Sequence, residues 1–384
     1  MHEHLKEKKI AVVHDWMFSA RGGEKVLDTI LETLPSCDLF YLFGNPKKVL
    51  KNTNKINNFK SSFLDKIPFI AKIYKVFLPL YPLLVENFDL SKYDLVISTS
   101  SSVAKGCIVP PYAKHVCYIH SPMRYVWDRQ HEYFKKTLSV FHPIDFVKKL
   151  FLSRLRVWDV TSSQRVDVFL ANSHFVKRRC MLYYNRNASV LHPPLENSQC
   201  EFNTLRDEDF ERPSILLFGA WECYKRNLWA MELLLKHNYG VIAAGHGNEL
   251  KEAYKRHKSN PHVRFFFNPK KDDLKDIFHM AHVFLLPGIE DFGITVLEAT
   301  AYGLPSVVSD KGGSREAILE GKTGLVYNFS SKDSLLQAVD KAFHMRPLLN
   351  QELSNKHLSR FSKENFKKEI SSVIIQTLEE RYAE

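Results

Sequence analysis

Two glutamates stand eight residues apart in EDFGITVLE, residues 290–298, with a glycine between them. An apolar strand pattern precedes this segment, and a helix is predicted from about Phe292 onward. At the helical rise of 1.5 Å per residue, the two carboxylates are separated by roughly 12 Å. This is too far for them to act as general acid and general base at one glycosidic bond. Glu290 and Glu298 are interpreted as holding hydroxyl groups at the two ends of a long ligand. The alternative is that Glu290 only stabilises the start of the helix and Glu298 only lies on the surface. The helix N-terminus opened by Gly293 then suits an anion between them, and a nucleotide diphosphate sugar has this order of groups.

Further groups suited to a diphosphate follow other predicted strands of the second half. Lys225 and Arg226 come after the strand SILLFG, and cations at a strand end suit a diphosphate. Gly245 lies in GHGNE after the next strand, and a glycine pair opens GGSRE at 312–316. Each glycine signal is weak alone, but glycine-bearing loops at successive strand ends form a consistent pattern.

The first half carries polar loops at its own strand ends. Gly22 and Gly23 precede a predicted helix, where a glycine pair admits an anion or a sugar to the backbone N–H groups, although a tight turn is the alternative. His120 ends a predicted strand and opens HSPMRYVWD, which favours a site residue over a structural histidine. Arg178 and Arg179 lie in a helix capped by Asn-Ser, where a phosphate-facing role and an exposed basic face fit equally well.

Strand-like and helix-like segments alternate along both halves. Near-continuous apolar strands between helices predict parallel sheets covered on both faces, so the expected fold class is α/β with two Rossmann-like domains. Because ligands bind outside the carboxyl ends of parallel strands, we expect the loops of both sheets to face a central cleft. The predicted strands are 9–14, 94–99, 115–120, 166–172 and 189–192 in the first half, and 214–219, 239–245, 263–267, 282–287, 305–310 and 324–327 in the second.

A polar stretch with three prolines at 193–213 divides the two halves. We therefore predict an N-terminal domain over 1–195 and a C-terminal domain over 205–355. The amphipathic tail is predicted to form a helix over about 360–384 that packs back on the N-terminal domain.

The formal charge of +11 is concentrated in the first half. Residues 1–200 hold 29 Lys and Arg against 17 Asp and Glu, whereas residues 201–384 hold 25 against 26. This excess predicts an anionic partner, namely membrane lipid, a lipid phosphate or nucleic acid, with an ordinary solvated surface as the alternative. Residues 62–85 mix large apolar side chains with lysines, which is typical of a segment on an anionic membrane, with a buried helix as the alternative.

Several classes are disfavoured by what the sequence lacks. There is no run of about 18 apolar residues that would predict a transmembrane helix, and no apolar signal-peptide core at the N-terminus. The six cysteines show no CxxC spacing, which is typical of free thiols in a reducing cytosol, and no HExxH pair predicts zinc. No GxGxxG follows the first strand, which disfavours a nicotinamide dehydrogenase, and no nucleic-acid recognition motif is present.

Together these segments resemble the retaining GT-B glycosyltransferases of sequence family four. Within that family the chain looks like bacterial mannosyltransferase-like enzymes of O-antigen, capsule or exopolysaccharide assembly. The order and spacing match over roughly residues 8–345. The motifs that carry the resemblance are HDWMFSARGGEKV, YIHSPMRYVWD, LANSHFVKRR, HPP at 192–194, YKR at 224–226, PGIEDFGITVLEA and GGSREAI.

The resemblance implies roles for individual residues. The catalytic set is expected to be His120, Lys225 and Glu290, with Lys225 on the donor diphosphate and Glu290 on the transferred sugar. Glu298 is expected to bind the ribose hydroxyls. The other expected donor-binding residues are Gly22, Gly23, Arg226, Gly245, Phe292, Gly293 and Ile294, with Arg178 and Arg179 as candidate phosphate ligands.

One departure from the family pattern is Ala220, where members usually carry an arginine that helps Lys225 hold the diphosphate. Arg226 or one of the arginines at 178–179 is a candidate substitute, and weak donor binding or an impaired protein is the alternative. The loss removes one charge-assisted contact, about 1.5–3 kcal/mol.

The resulting expectation is a retaining glycosyltransferase that moves a hexose to a hydroxyl of a lipid-linked glycan, with mannose from GDP-mannose favoured on resemblance. No cofactor and no metal are expected, because no aspartate pair is placed to hold a metal. The expected partners are the nucleotide-sugar donor, the lipid-linked acceptor and an anionic membrane surface, and not nucleic acid. The expected location is cytoplasmic, peripheral on the inner face of the cytoplasmic membrane. The rival is a degenerate, non-catalytic member that binds a nucleotide sugar or a glycan.

Overall fold

The computed structural model describes residues 5–19, 22–133, 143–196, 198–202 and 213–379. The chain divides into two compact units. The first unit comprises Met1–Pro194 together with Lys363–Glu384, and the second comprises Leu195–Ser362. The sequence-based domain bounds were 1–195 and 205–355, with a returning helix over about 360–384.

In the described part of the first unit, seven strands form one parallel sheet in the order β3-β2-β1-β4-β5-β6-β7. Two of these strands, β2 and β3, are absent from the prediction. The aspartate in CDLFY interrupts the apolar pattern of β2, and the edge strand β3 reads INNFKS with mostly exposed residues. The strands are β1 Ile10–His14, β2 Cys37–Tyr41, β3 Ile56–Ser61, β4 Leu95–Ser100, β5 Lys114–Ile119, β6 Val168–Ala171 and β7 Ser189–Val190.

Helices of very different length connect these strands. The α-helices are α1 Gly22–Thr33, α2 Pro46–Val49, α3 Ile70–Ile73, α4 Tyr81–Glu86, α5 Gln130–Tyr133, α6 Pro143–Ser163 and α7 His174–Tyr184. Short 3-10 turns lie at Thr53–Lys55, Phe63–Lys66, Tyr74–Leu80 and Ala104–Gly106. Residues 62–85, predicted as one amphipathic segment, are thus broken into short helical pieces, and Pro79 lies inside one of them.

The second unit repeats the arrangement with six strands, all parallel, in the order β10-β9-β8-β11-β12-β13 over its described residues. Every predicted strand of this half is found within a residue or two of its predicted bounds. They are β8 Ser214–Ala220, β9 Gly240–His246, β10 Val263–Phe267, β11 Val283–Leu286, β12 Ser306–Ser309 and β13 Gly324–Tyr327.

The helices of the second unit follow its strands in turn. They are α8 Asn227–Lys236, α9 Asn248–His257, α10 Lys271–His279, α11 Ile294–Ala301, α12 Lys332–Met345 and α13 Gln351–Ser359, with 3-10 turns at Cys223–Lys225, Ser314–Ala317 and Arg346–Leu348. Across the described residues of both units, no helix is long and apolar enough to span a bilayer.

The central strands of each sheet are buried on both faces, which explains why they read as continuous apolar runs. In β1, Ile10 and Val12 pack with residues of α1, whereas Ala11 and Val13 pack with residues of α4 and α6. The predicted α/β class, with two parallel sheets covered by helices, is confirmed.

The last described helix, α14 Lys363–Glu379, packs against α1 in the first unit. Its buried residues include Phe366 and Ile370, which join the core cluster beneath β1. Lys363 Nζ lies 3.1 Å and Lys367 Nζ 2.5 Å from the carboxylate of Glu32 in α1. Partial burial acts to raise the pKa of Glu32, but the hydrogen bonds from Lys367 and Lys363 outweigh it and hold that pKa below its usual value.

Candidate active site

The carboxyl edge of the second sheet brings Lys225 and Glu290 into an ion pair. Lys225 ends the 3-10 turn that follows β8, and Glu290 lies in the loop between β11 and α11. The Lys225 ammonium contacts the Glu290 carboxylate directly, and the glutamate is buried. The structure therefore joins two residues that the sequence analysis placed on different parts of one ligand.

Two glycine-containing loops hold this pair by close approach. A side chain at Gly288 would meet the Cα of Lys225 at 2.8 Å, so its loop packs directly on the Lys225 backbone. A side chain at Gly312 would meet the Glu290 carbonyl oxygen at 2.6 Å. The next residue, Gly313, donates its N–H to that same oxygen at 2.8 Å. The glycine pair of GGSRE thus fixes the backbone of Glu290.

Helix α11 begins directly after a left-handed turn at Gly293, whose φ of 84° favours glycine. The sequence placed the helix start near Phe292, and this turn moves it to Ile294. The first N–H groups of α11 follow the loop that carries Glu290, as an anion site at a helix start requires.

Two predicted donor-binding side chains of this segment differ in exposure. Phe292 is 3% exposed and packs in the hydrophobic core, so only its backbone can face a ligand. Glu298 lies four residues after Ile294, so both share one face of α11, and both are half-buried. Glu298 is therefore partly accessible, and its role at the ribose stays a prediction.

Gly245, another predicted donor-binding residue, allows the ends of two strands to meet. Its φ is +126°, and a side chain there would overlap the carbonyl oxygen of Gly219 on β8. The close approach of β8 and the positive φ therefore explain why this position is a glycine. Contact of Gly245 with a donor stays a prediction.

Arg226 is packed between two aromatic rings. Its guanidinium carbon lies 3.8 Å from the centroid of Trp229 and 4.2 Å from that of Phe329. It also donates to the Phe329 carbonyl oxygen at 3.1 Å. Because stacking uses both faces of the guanidinium plane, this placement argues against Arg226 as the substitute for the missing arginine at Ala220.

His246 lies beside that missing position and was not singled out from the sequence. The register of β8 and β9 pairs Ala220 with His246. An imidazole thus neighbours the strand end where the family pattern has an arginine. His246 lies in the segment GHGNE, for which the sequence analysis predicted a role for Gly245 alone.

In the first unit, His120 and Gly23 meet at the carboxyl edge of the sheet. A side chain at Gly23 would touch His120 Nε2 at 3.4 Å, so the start of α1 lies against the imidazole. The His120 backbone is held on both sides, since its N–H donates to Ser100 at 2.8 Å and its carbonyl accepts from Asn172 Nδ2 at 2.9 Å. Gly22 is the first residue of α1. The structure thus brings together the three residues predicted for this edge.

The two candidate phosphate arginines have different surroundings. Arg179 is buried, lies 2.6 Å from an Asp128 carboxylate oxygen and donates to Ser121 Oγ at 2.5 Å. It therefore fixes the loop that follows His120. Arg178, its neighbour in α7, is exposed. A phosphate-binding role for either residue stays a prediction.

A buried carboxylate that sequence reasoning missed organises the loop after β4. Asp15, which follows β1, accepts the backbone N–H groups of residues 101–104 at 2.7–2.9 Å. The adjacent His14 Nδ1 lies 2.5 Å from Thr99 Oγ1, and burial lowers the pKa of His14 to about 4. Both residues shape the edge at which His120 lies.

A second missed feature is a fully buried ion pair. Lys105 Nζ lies 2.7 Å from Asp159 Oδ1, and both side chains are about 1% exposed or less. The other Asp159 oxygen accepts from Trp127 Nε1 at 2.8 Å and from Tyr184 Oη at 2.9 Å. Trp127 belongs to the loop after His120, so the pair anchors that loop to α6. Nothing in the local sequence marks partners this far apart.

The thiols and acids of the described chain offer little further chemistry. The six cysteines are free, and Cys223 is the exposed one. Burial raises the pKa of Cys107 to about 12, which suppresses its thiolate. Across the described ranges, no three His, Cys, Asp or Glu side chains gather as metal ligands would.

Comparison with known proteins finds similarity over the segment that carries the Lys225–Glu290 pair. Residues 218–364 match the family model described as "Glycosyl transferases group 1". The GDP-mannose-dependent alpha-(1-6)-phosphatidylinositol monomannoside mannosyltransferase of Mycolicibacterium smegmatis is 36% identical over 86 residues. That alignment covers 20% of this chain and 22% of the relative, so the chain matches about a fifth of the relative's length.

Solved structures share the fold along nearly the whole chain. The lipopolysaccharide outer core galactosyltransferase WaaB, in its apo form, aligns with a TM-score of 0.66 at 16% identity, covering 96% of this chain and 99% of that one. Anabaena HepE in complex with UDP aligns with a TM-score of 0.66 at 15% identity, covering 96% and 100%. The fold is GT-B. Residues 218–364 therefore resemble group 1 glycosyltransferases.

Proposed function

We propose that this GT-B protein is a retaining glycosyltransferase that transfers a hexose from a nucleotide diphosphate sugar to a hydroxyl of a lipid-linked glycan. The Lys225–Glu290 pair at the start of α11 carries the proposal. It provides one cation, one carboxylate and the N-terminus of a helix at neighbouring strand ends. These are the groups needed by a diphosphate joined to a sugar.

The favoured donor is GDP-mannose. The family resemblance supports mannose, and the matched mycobacterial relative is a GDP-mannose-dependent mannosyltransferase by name. The neighbour HepE was solved with UDP, which supports the broader class of nucleoside diphosphates. We also propose a role in O-antigen, capsule or exopolysaccharide assembly on the cytoplasmic face of the membrane.

We propose that donor binding separates Lys225 from Glu290 and gives each of them a new partner on the donor. The donor diphosphate accepts hydrogen bonds from Lys225 and from the N–H groups at the start of α11. Glu290 is then released to accept hydrogen bonds from the hydroxyl groups of the sugar. Glu298, further along the same helix, accepts those of the ribose. Lys225 thereby changes from a carboxylate partner to a diphosphate partner, and the sugar hydroxyl groups then hydrogen-bond the buried carboxylate that it leaves.

The transfer step is proposed as a front-face displacement. The bond between the anomeric carbon and the diphosphate oxygen breaks, and its electron pair stays on the diphosphate. The acceptor oxygen bonds to the anomeric carbon on the same face, and its proton passes to the departing diphosphate. Lys225 and the helix N–H groups stabilise the charge that grows on that leaving group.

An assay with GDP-mannose, UDP-glucose and ADP-glucose tests this proposal. Release of nucleoside diphosphate and the anomeric configuration of the product are followed by proton NMR. Lys225→Ala and Glu290→Gln are expected to lose at least about a hundredfold in turnover, since each removes a charged contact made in the transition state. Lys275→Ala, which breaks an exposed ion pair with Glu201 in the same unit, is the matched control. Inverted product or full turnover in both variants contradicts the mechanism.

The second candidate is a non-catalytic member that only binds a nucleotide sugar or a glycan. Ala220 favours it, because the usual arginine is missing and Arg226 is stacked elsewhere. Calorimetry separates the two candidates. Donor binding without release of nucleoside diphosphate, in the presence of a membrane extract as acceptor source, identifies the non-catalytic protein.

A further inference from the structure

Large apolar side chains are exposed in two segments of the first unit. Of the seventeen large hydrophobic side chains that are exposed among the described residues, ten lie within 63–83 and 146–157. Phe69 is 77% exposed, Val76 75% and Val147 63%. Single exposed hydrophobic residues are ordinary, but a concentration of this kind marks a contact surface.

The two segments are neighbours because their inner sides share one core. Ile70 and Leu84 of the first segment pack in the same cluster as Leu152 of α6. Trp158 Nε1 in α6 donates to Glu86 Oε1 at the end of α4 at 2.9 Å. The exposed residues of these two neighbouring segments, 63–83 and 146–157, are here together called the apolar face.

Phe69 is held in an unusual conformation on this face. Its φ of 57° and ψ of 22° lie in the left-handed region, where a bulky aromatic residue is an outlier. Such strain persists where the surrounding structure enforces it and is common at functional positions. Here it directs a phenyl ring into the surroundings rather than into the core.

Basic side chains border the apolar face. Lys66, Lys72 and Lys75 are exposed within the first segment, and Lys148 is exposed in α6. The Lys72 ammonium lies 5.5 Å from the ring centroid of Phe69. Long lysine side chains beside exposed apolar groups suit the boundary between acyl chains and anionic headgroups.

The apolar face also adjoins the carboxyl edge of the first sheet. The Tyr74 ring packs 5.2 Å from Phe18 and 6.0 Å from Trp16. Both residues belong to the loop between β1 and α1, and α1 starts where Gly23 meets His120. The apolar face thus packs against the loop that leads to that edge.

We propose that the apolar face inserts into an anionic bilayer, with Phe69 and Val76 entering the acyl region and the bordering lysines contacting lipid phosphates. The inference rests on the proposed function, which places the acceptor in a membrane, and it names the surface that brings the acceptor to the first unit. A protein partner fits less well, because docking on this face would bring several lysines close together against an uncharged surface.

Vesicle binding of the full chain tests the proposal. Wild type, Phe69→Ser/Val76→Ser and Lys72→Gln/Lys75→Gln are sedimented with vesicles of phosphatidylglycerol and phosphatidylethanolamine, and with phosphatidylcholine alone. The matched control is Met181→Ser/Leu182→Ser, which removes two exposed apolar side chains from α7 in the same unit. Brominated lipids report whether tryptophan at position 69, in Phe69→Trp, lies among acyl chains.

We expect binding to the anionic vesicles, at least about tenfold weaker for Phe69→Ser/Val76→Ser, since each buried apolar side chain contributes roughly a tenfold factor. The lysine variant is expected to bind more weakly at low salt, and the control to bind as wild type does.

Absence of wild-type binding, or an equal loss in the control, overturns the proposal. If the serine variant does not fold, the lysine variant and the bromine quenching decide in its place. The melting temperature of the same samples is also measured with and without GDP-mannose. Vesicle binding with no change in melting temperature would contradict the proposed function and still support membrane insertion of the apolar face.

Discussion

At the scale of single residues, Ala220 is a position where the chain departs from the pattern of the family that it resembles. It ends β8 beside His246 and a few residues before Lys225. Arg226 does not fill the gap, because two aromatic rings enclose its guanidinium. The proposed donor site therefore lacks a cation that the pattern of the resembled family provides.

Restoring the arginine is expected to strengthen donor binding. Ala220→Arg adds one charge-assisted contact of about 1.5–3 kcal/mol, which corresponds to roughly 10- to 100-fold in affinity. Calorimetric titration with GDP-mannose measures the change. Ser259→Arg, which adds the same charge at an exposed position after α9, controls for net charge. Equal affinities in Ala220→Arg and wild type would show that the diphosphate does not lie at the end of β8.

Buried histidines make the stability of the first unit depend on pH. Burial lowers the pKa of His14 to about 4 and that of His115 to about 3, below their usual value of 6.5. As pH falls below about 6.5 the unfolded chain binds these protons first, so the folded state loses roughly 1.4 kcal/mol per pH unit for each histidine until its folded pKa is reached. Above pH 6.5 this contribution to stability is fully present.

Urea unfolding followed by tryptophan fluorescence between pH 7.5 and 5 measures this dependence. His14→Asn keeps a polar partner for Thr99 and removes one titrating group, so the slope of unfolding free energy against pH should become shallower. An unchanged slope in His14→Asn contradicts the assignment of a neutral, buried His14.

At the scale of elements, the strands were easier to predict than the loops that carry chemistry. All six strands of the second sheet were predicted from their apolar runs, and the central ones are buried on both faces. The edge strand β3 was missed because most of its residues face solvent. The start of α11 was misplaced because a left-handed turn at Gly293 depends on backbone geometry that apolar periodicity does not report.

The buried pair of Lys105 and Asp159 shows what local patterns cannot reveal. It joins the 3-10 turn after β4 to α6, and it receives Trp127 from the loop after His120. Removing one partner leaves a buried charge, so Lys105→Met is expected to cost about 3–5 kcal/mol. The double variant Lys105→Met/Asp159→Asn is expected to recover part of that loss, because the amide still accepts from Trp127 without a charge.

Urea unfolding of both variants checks this expectation. Lys275→Met, which removes an exposed partner of Glu201, serves as the control and should change stability little. A loss in Lys105→Met no larger than in this control would show that the buried pair does not stabilise the first unit.

At the scale of the whole molecule, the chain builds its first unit from both of its ends. Helix α14 adds Phe366 and Ile370 to the core beneath β1, and its lysines pair with Glu32 in α1. The core of the first unit therefore includes residues from helix α14 as well as from residues 1–194.

Phe366→Ala is expected to destabilise the first unit by about 3–5 kcal/mol, because it opens a cavity beneath the sheet. Hydrogen exchange measured by mass spectrometry locates the effect. Faster exchange in α1 and β1, with unchanged exchange in β8 to β13, is the expected pattern. Faster exchange confined to the second sheet would contradict the placement of α14.

The fold was largely predictable from sequence, and the candidate site only in part. The expectation of two α/β domains needed only the alternation of apolar strands and helices. Lys225 and Glu290 were singled out by residue type and resemblance, but their direct pairing depends on the close approach of Gly288 and Gly312 loops. His246 and Asp159 were missed because their importance comes from register and burial, which a single sequence does not show.

The central claim is that Lys225, Glu290 and the start of α11 bind the diphosphate and sugar of an activated donor. Calorimetric titration of wild type, Lys225→Ala and Lys275→Ala with GDP-mannose and with GDP tests it most directly. We predict that Lys225→Ala weakens both ligands at least about tenfold, whereas Lys275→Ala binds as wild type does. Equal affinity of wild type and Lys225→Ala for both ligands would contradict the account.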